Sequence, residues 1–303
     1  MNSSEGVYFH IDELDEGFEI WYSGGISRRV KQRPYFYILP EEEGRVSGFV
    51  EKERVVRKVL GVERELVKLY FKDERSMRRA AKSIRNPIEL EVPSWFKFVL
   101  DEGLVPFQEG QRRRGGMEDL KKLFFCGSIY SEDGFPIEGK SPVIAISYAV
   151  DDGPIELISA SDLEDSSVIR EFSSLILKED PDVIIGYGQD ADEFKHLMGR
   201  SKTLGIRFQA GRDRSEPMET GKFFRGTIIV ENRIRGRANL DLFAVAWRDF
   251  PQLPERAWYE LADELGVPRP NFLMKFRIAE AWKTDKDIVH NYLKEKLKTI
   301  IGI

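Results

Sequence analysis

The side chains best equipped for chemistry crowd into one octapeptide, Gly186-Tyr187-Gly188-Gln189-Asp190-Ala191-Asp192-Glu193. Its three carboxylates are oxygen donors of the kind a hard divalent cation takes. The octapeptide follows an apolar run, and open α/β sheets place ligand chemistry just past the carboxyl ends of their strands. The same spacing also describes an ordinary strand–loop–helix with a solvated acidic turn. A second combination is thiol and imidazole. Cys126 and His196 could act as a dyad, whereas a single cysteine on a buried strand is also a common core filler. His10, His196 and His290 are isolated, and no zinc-ligand spacing occurs.

The elements that must position these groups are readable around them. Val183, Ile184 and Ile185 form a β-branched run that Gly186 ends, which is a buried-strand pattern. Phe194, Leu197, Met198 and Leu204 then recur near helical spacing, with Asp190 as the expected N-cap. Upstream, Leu123–Ile129, Val143–Val150 and Pro154–Ser159 read as strands and Ser167–Lys178 as a helix. Downstream, Phe223–Val230 and Ile234–Leu240 read as a hairpin. Helical periodicity follows in Leu242–Arg248, Ala257–Leu265, Phe276–Lys283 and Asp285–Leu297, and Asp241 fits a helix N-cap. The segment from Leu120 onward is thus α/β.

The first third is organised differently. Tyr8–Ile11, Phe18–Tyr22 and Tyr35–Leu39 read as short strands, Phe49–Leu60 as a helix, Leu66–Phe71 as a strand and Glu74–Ile84 as a basic amphipathic helix. Ser94 reads as the N-cap of a helix to Leu100. The polar stretch Gln108–Glu118 contains Gly115-Gly116 and the run Arg112-Arg113-Arg114, and reads as a linker. Domains are therefore expected at 1–118 and 119–303.

A chain of 303 residues, 41% of them hydrophobic, can bury proper cores. One cysteine excludes an internal disulfide and suits a reducing compartment, so a cytoplasmic location is expected. No run is long and apolar enough for a membrane helix, no signal peptide is seen, and no membrane partner is expected. A net charge of −5 disfavours non-specific nucleic-acid binding by the chain as a whole. Charged residues reach 33%, rich in Lys, Arg and Glu, as in thermophilic proteins.

Several separated motifs, in the right order, resemble archaeal family B DNA polymerases. The octapeptide and its helix resemble the second exonuclease motif of that family. Phe125-Cys126-Gly127-Ser128-Ile129 followed by Tyr130-Ser131-Glu132-Asp133-Gly134-Phe135-Pro136 resembles the first. Tyr292-Leu293-Lys294-Glu295-Lys296 resembles the third, and Gly211-Arg212-Asp213-Arg214-Ser215-Glu216-Pro217 a loop between them. In the first third, Pro34-Tyr35-Phe36-Tyr37, Val67–Phe71, Asn86-Pro87 and Val92-Pro93 resemble the family's N-terminal domain. The resemblance implies an RNase H-like exonuclease fold with a mixed sheet, preceded by a smaller α+β domain. It stops where palm, fingers and thumb would begin, so this chain by itself is expected not to polymerise DNA.

The resemblance also implies that the nuclease chemistry is lost. The family's site gathers four carboxylates around two divalent metals. By register, Cys126 and Ser128 stand where the first two belong, Glu193 where the third does, and Lys296 where the fourth does. Glu193 and Lys296 then cancel in charge, and a lysine repels a cation that it can replace electrostatically but not as an activator of water. Catalytic residues and Mg²⁺ are therefore not expected, and Glu193 and Lys296 are expected to pair. A residual exonuclease using Glu193, Asp190 and Asp192 is the enzymatic alternative. DNA, in single-stranded form, is the expected partner. Contacts are expected from Arg112, Arg113, Arg114, Arg225, Arg233, Arg235 and Arg237, with Tyr187 stacking on a base or buried in the sheet edge. In the family the N-terminal domain captures template uracil, and by position Tyr8, Pro34, Tyr35 and Pro87 would line that pocket. The other account of the chain is one part of a split or longer polymerase whose palm comes from a second polypeptide.

Overall fold

The computed structural model describes residues 6–105, 108–109, 113–114, 116–224 and 227–303. In chain order the strands and helices are β1 (Tyr8–Leu14), β2 (Gly17–Tyr22), β3 (Ile26–Val30), β4 (Tyr35–Ile38), β5 (Glu51–Val59), β6 (Val62–Tyr70), α1 (Glu74–Ala81), α2 (Ser94–Asp101), β7 (Gln108–Glu109) and β8 (Arg113–Arg114). There follow β9 (Lys122–Ile129), β10 (Val143–Val150), β11 (Glu156–Ser159), α3 (Ser166–Glu179), β12 (Val183–Gly186), α4 (Glu193–Leu204), β13 (Met218–Phe224), β14 (Thr227–Arg233) and β15 (Ala238–Asp241). The chain closes with α5 (Leu242–Asp249), α6 (Trp258–Leu265), α7 (Lys275–Thr284) and α8 (Lys286–Gly302).

Two compact units result. The first comprises the chain's start up to His10, Tyr22–Ile26 and Gly115–Ile303; the second comprises Ile11–Trp21 and Ser27–Arg114. The first unit thus takes in pieces of the N-terminal strands that the sequence places in the smaller domain. Long-range polar contacts hold them there. The backbone N–H of Ser23 donates to Val7 O at 2.9 Å, and that of Gly24 to Asp182 Oδ2 at 3.4 Å.

The first unit is built on a mixed sheet in the order β11-β10-β9-β12-β15. β10 runs antiparallel to β9 and β11, whereas β9, β12 and β15 are parallel. The three parallel strands therefore deliver their carboxyl ends, Ile129, Gly186 and Asp241, to one edge. Side chains alternate across the sheet. Phe125 meets Phe172 of α3 and Phe194 of α4, at ring separations of 5.0 and 5.6 Å. Its neighbour Cys126 turns to the opposite face, where its Sγ donates to Leu293 O of α8 at 3.5 Å. This mixed α/β arrangement agrees with the fold expected from the sequence.

In the second unit the sheet β4-β6-β5 packs one face, Phe36, Ile38, Val67, Leu69 and Phe71, on Met77, Ala81 and Ile84 of α1 and the turn after it. A reciprocal capping box between Asp73 and Ser76 starts α1. The stretch expected as a helix, Phe49–Leu60, is instead strand β5. Its Lys, Arg and Glu residues favour a helix locally, but pairing with β6 over nine residues, from Glu51↔Tyr70 to Val59↔Val62, overrides propensity. The hairpin in the first unit is also shifted. β13 pairs with β14, from Met218↔Arg233 to Phe224↔Thr227, and β15 joins the main sheet instead.

Candidate functional site

The carboxyl edge of β9, β12 and β15 gathers the residues singled out by type. Glu193 opens α4 and is 5% exposed. Its Oε1 accepts the Gly127 backbone N–H at 3.1 Å. A Cβ at position 127 would lie 3.0 Å from Glu193 Cγ, so the close approach needs a glycine there. Burial raises the Glu193 pKa, and the Lys296 charge opposes that shift.

Lys296 is half-buried on α8. Burial pulls its ammonium down, but the acidic groups of Cys126, Glu193, Tyr292 and Asp192 outweigh this, and its pKa is raised. Lys296 and Glu193 therefore act on each other as opposite charges. Among the described residues no direct salt bridge within 4.0 Å joins them. The ion pair expected from the sequence is a through-space interaction, with Lys296 Nζ also 6.0 Å from the centroid of the Trp258 ring. Cys126 is 1% exposed, and burial pushes its thiol up to about 12. Ser128 is buried, and its Oγ has no hydrogen-bond partner among the described residues.

The remaining acids of the octapeptide are committed to structure. Asp190 does not cap α4, which begins three residues later behind Asp192. Its Oδ1 accepts from Asn232 N and Nδ2, both at 3.0 Å, and from Asn239 Nδ2 at 2.7 Å. It pins β14 and β15 to the loop after β12. Neither asparagine was singled out from sequence, because they lie 42 and 49 residues away and carry no local signal. Asp241, the N-cap of α5 as expected, accepts from Gly188 N at 2.7 Å, Phe243 N at 2.9 Å and Asp190 N at 3.2 Å. Burial raises its pKa to about 7 against those N–H donors. Asp192 pairs with Lys275 Nζ at 2.8 Å, and His196 Nε2 lies 3.7 Å from Asp192 Oδ1. With Cys126 bonded to Leu293 O and His196 directed at Asp192, the thiol–imidazole dyad is not formed.

Several expected DNA contacts have other partners. Tyr187 is 8% exposed, packs edge-on against Phe243 and donates its hydroxyl to Arg256 O, so its ring is a core element with no face free for a base. Arg237 is 1% exposed. It pairs with Asp180 at 2.7 Å and donates to Pro181 O and Ala210 O at 2.5 and 2.8 Å. Arg235 lies 3.5 Å from Asp213 Oδ2. Arg233 is exposed at the end of β14. Arg112 and Arg225 lie outside the described residues, as do the side chains of Arg113 and Arg114, whose backbone forms β8.

The residues expected at a uracil pocket are distributed as follows. Pro34 and Tyr35 line a cavity of about 90 Å³ in the second unit together with Phe18, Arg33, Ser94 and Lys97. Tyr35 donates its hydroxyl to Asp101 at 2.8 Å, and Lys68 Nζ stands 3.7 Å over the centroid of its ring. Pro87 is half-buried and is not part of that cavity lining. Tyr8 belongs to the first unit, where it is 8% exposed and burial raises its hydroxyl to about 12.

Comparison with known proteins fits this architecture. Residues 108–258 match the family model "DNA polymerase family B, exonuclease domain". A DNA polymerase of Pyrococcus glycovorans is 30% identical over 88% of this chain and 36% of its own length. DNA polymerase 2 of Aeropyrum pernix is 24% identical over the whole chain and 45% of its own length. The family B DNA polymerase structure from Pyrobaculum calidifontis superposes with a TM-score of 0.78 at 22% identity, over 98% of this chain and 45% of that one. The chain thus spans less than half the length of these relatives. It is a homologue of archaeal DNA polymerases, and residues 108–258 carry the exonuclease domain of family B.

Proposed function

We propose that the chain is a non-catalytic DNA-binding or scaffold module, in which the exonuclease-fold cleft holds single-stranded DNA without cutting it. The observation carrying this reading is the position of Lys296. Its ammonium acts as a charge on both Glu193 and Cys126, where the family's chemistry would need anionic oxygen donors. The donor set does not fit a divalent cation. A thiol held near 12 stays protonated at neutral pH, a serine hydroxyl is neutral, and an ammonium repels Mg²⁺. One carboxylate, already bonded to Gly127, is left.

The test is a nuclease assay on labelled single-stranded DNA with Mg²⁺ or Mn²⁺, run beside a salt titration of binding. The expected result is salt-sensitive binding and intact substrate. Metal-dependent digestion that disappears in Glu193→Ala overturns the proposal.

Coverage favours a second reading. The chain spans 36% and 45% of the Pyrococcus glycovorans and Aeropyrum pernix polymerases, so a palm would come from a second polypeptide or from the remainder of a longer chain. Solution mass with and without DNA, and pull-down of a palm-bearing partner, separate the two.

A further inference from the structure

We infer that the β5–β6 ribbon of the second unit is a contact surface for duplex DNA, with Arg57 and Arg64 meeting phosphates and Leu60 pressing into a groove.

The pairing from Val56↔Glu65 to Val59↔Val62 continues beyond the last buried residue of β6, Leu66. Four pairs at about 3.4 Å each span about 14 Å, with Val59 packed on the Tyr35, Tyr37 and Leu66 cluster and the turn beyond it exposed. Its two faces differ in charge balance. On one, Lys58 faces Glu63 in register, and Arg54 Nη1 pairs with Glu65 at 3.2 Å. On the other, Arg57 and Arg64 are direct cross-strand partners. Like charges in that position destabilise a ribbon. Arg57 stands beside the Tyr37 hydroxyl, which together with Asp101 and Glu89 raises its pKa, and Arg64 has no ion-pair partner among the described residues. Both are exposed.

The tip adds a second oddity. Leu60 and Gly61 form a two-residue turn with φ of 51° and 81°. Such turns favour Asn-Gly, since a leucine pays sterically for the left-handed region. Leu60 is 100% exposed, and Val62 just past the turn is 56% exposed. Neither the turn nor the solvent favours leucine there. A two-stranded ribbon fits the major groove, whose thymine methyl groups offer apolar contact, and leucine also serves as a wedge between base steps. The two facing, exposed guanidiniums beside an apolar tip match a phosphate-walled groove in charge and shape. None of these residues belongs to the Glu193–Lys296 site of the first unit.

Fluorescence anisotropy of the full chain with a short labelled duplex, and with its labelled single strand, tests this. In Arg57→Glu/Arg64→Glu the duplex Kd should rise at least tenfold and the salt slope should fall by about 2. Leu60→Asn should raise the duplex Kd several-fold while raising Tm, because asparagine suits the turn. Single-strand binding should be unchanged in both. Absence of duplex binding by the parent chain, or equal duplex affinity in parent and variants, overturns the assignment. So does a loss of single-strand binding in the same variants. Failure of the cleft reading would show separately, as absent or metal-cleaved single-strand complexes.

Discussion

Glu193 reaches across the sheet edge to the Gly127 backbone N–H, at 3.1 Å, and so locks the first turn of α4 to the strand that carries Cys126 and Ser128. That bond fixes where the carboxylate sits relative to Lys296. Gly127→Ala would bring a Cβ to 3.0 Å from Glu193 Cγ, inside a buried site with little room to give. We expect a loss of about 1–3 kcal/mol in urea unfolding, with the Gly127 amide resonance shifted. An unchanged midpoint would show that the glycine is incidental.

Removing either charge of the facing pair leaves the other poorly compensated. Lys296→Met and Glu193→Gln should each destabilise the chain at pH 7. The double variant should be less destabilised than the sum by about 0.5–3 kcal/mol. Additivity of the two changes would mean that the charges do not sense one another.

Asp241 gives stability a pH dependence. An unfolded aspartate titrates near about 3.9, whereas burial places Asp241 at about 7 in the fold. Between those values the folded state binds more protons than the unfolded chain. The contribution of Asp241 is therefore full below about pH 4, declines as pH rises, and is gone above about 7. At about 1.4 kcal/mol per tenfold, this is at most about 4 kcal/mol. Tm measured from pH 4 to 8 should fall more steeply in the parent than in Asp241→Asn. Parallel curves would contradict the assignment.

Cys126 should be inert in the native state. With burial at 1% exposed and a thiol near 12, about 1 in 10⁴ molecules carries a thiolate at pH 8. A disulfide reagent should label it only after denaturant is added. Labelling of the folded chain within minutes would show an open route to the sulfur.

The arginines should separate by role. Arg237→Ala removes a buried guanidinium that serves Asp180, Pro181 and Ala210, and should cost about 3–5 kcal/mol of stability. Arg233→Ala, on the exposed end of β14, should leave Tm within about 1 °C and weaken single-strand binding. The reverse pattern would exchange their roles.

The sequence by itself determined much of the first unit. Apolar runs at Val183–Ile185 and Val143–Val150, and helical spacing from Phe194 to Leu204, are local signals that match local structure. Motif order determined the fold. Only tertiary structure decided the rest, because those outcomes depend on partners far along the chain. Phe49–Leu60 has the composition of a helix and becomes a strand because β6 pairs with it. Asp190 has the look of a cap or a metal ligand, yet Asn232 and Asn239 claim its oxygens. Arg237 reads as a surface contact, and Tyr187 as either a stacking or a buried ring, until packing buries both. Charge and residue type are written in the sequence; burial, and with it which charges must find a partner inside the fold, is set by packing.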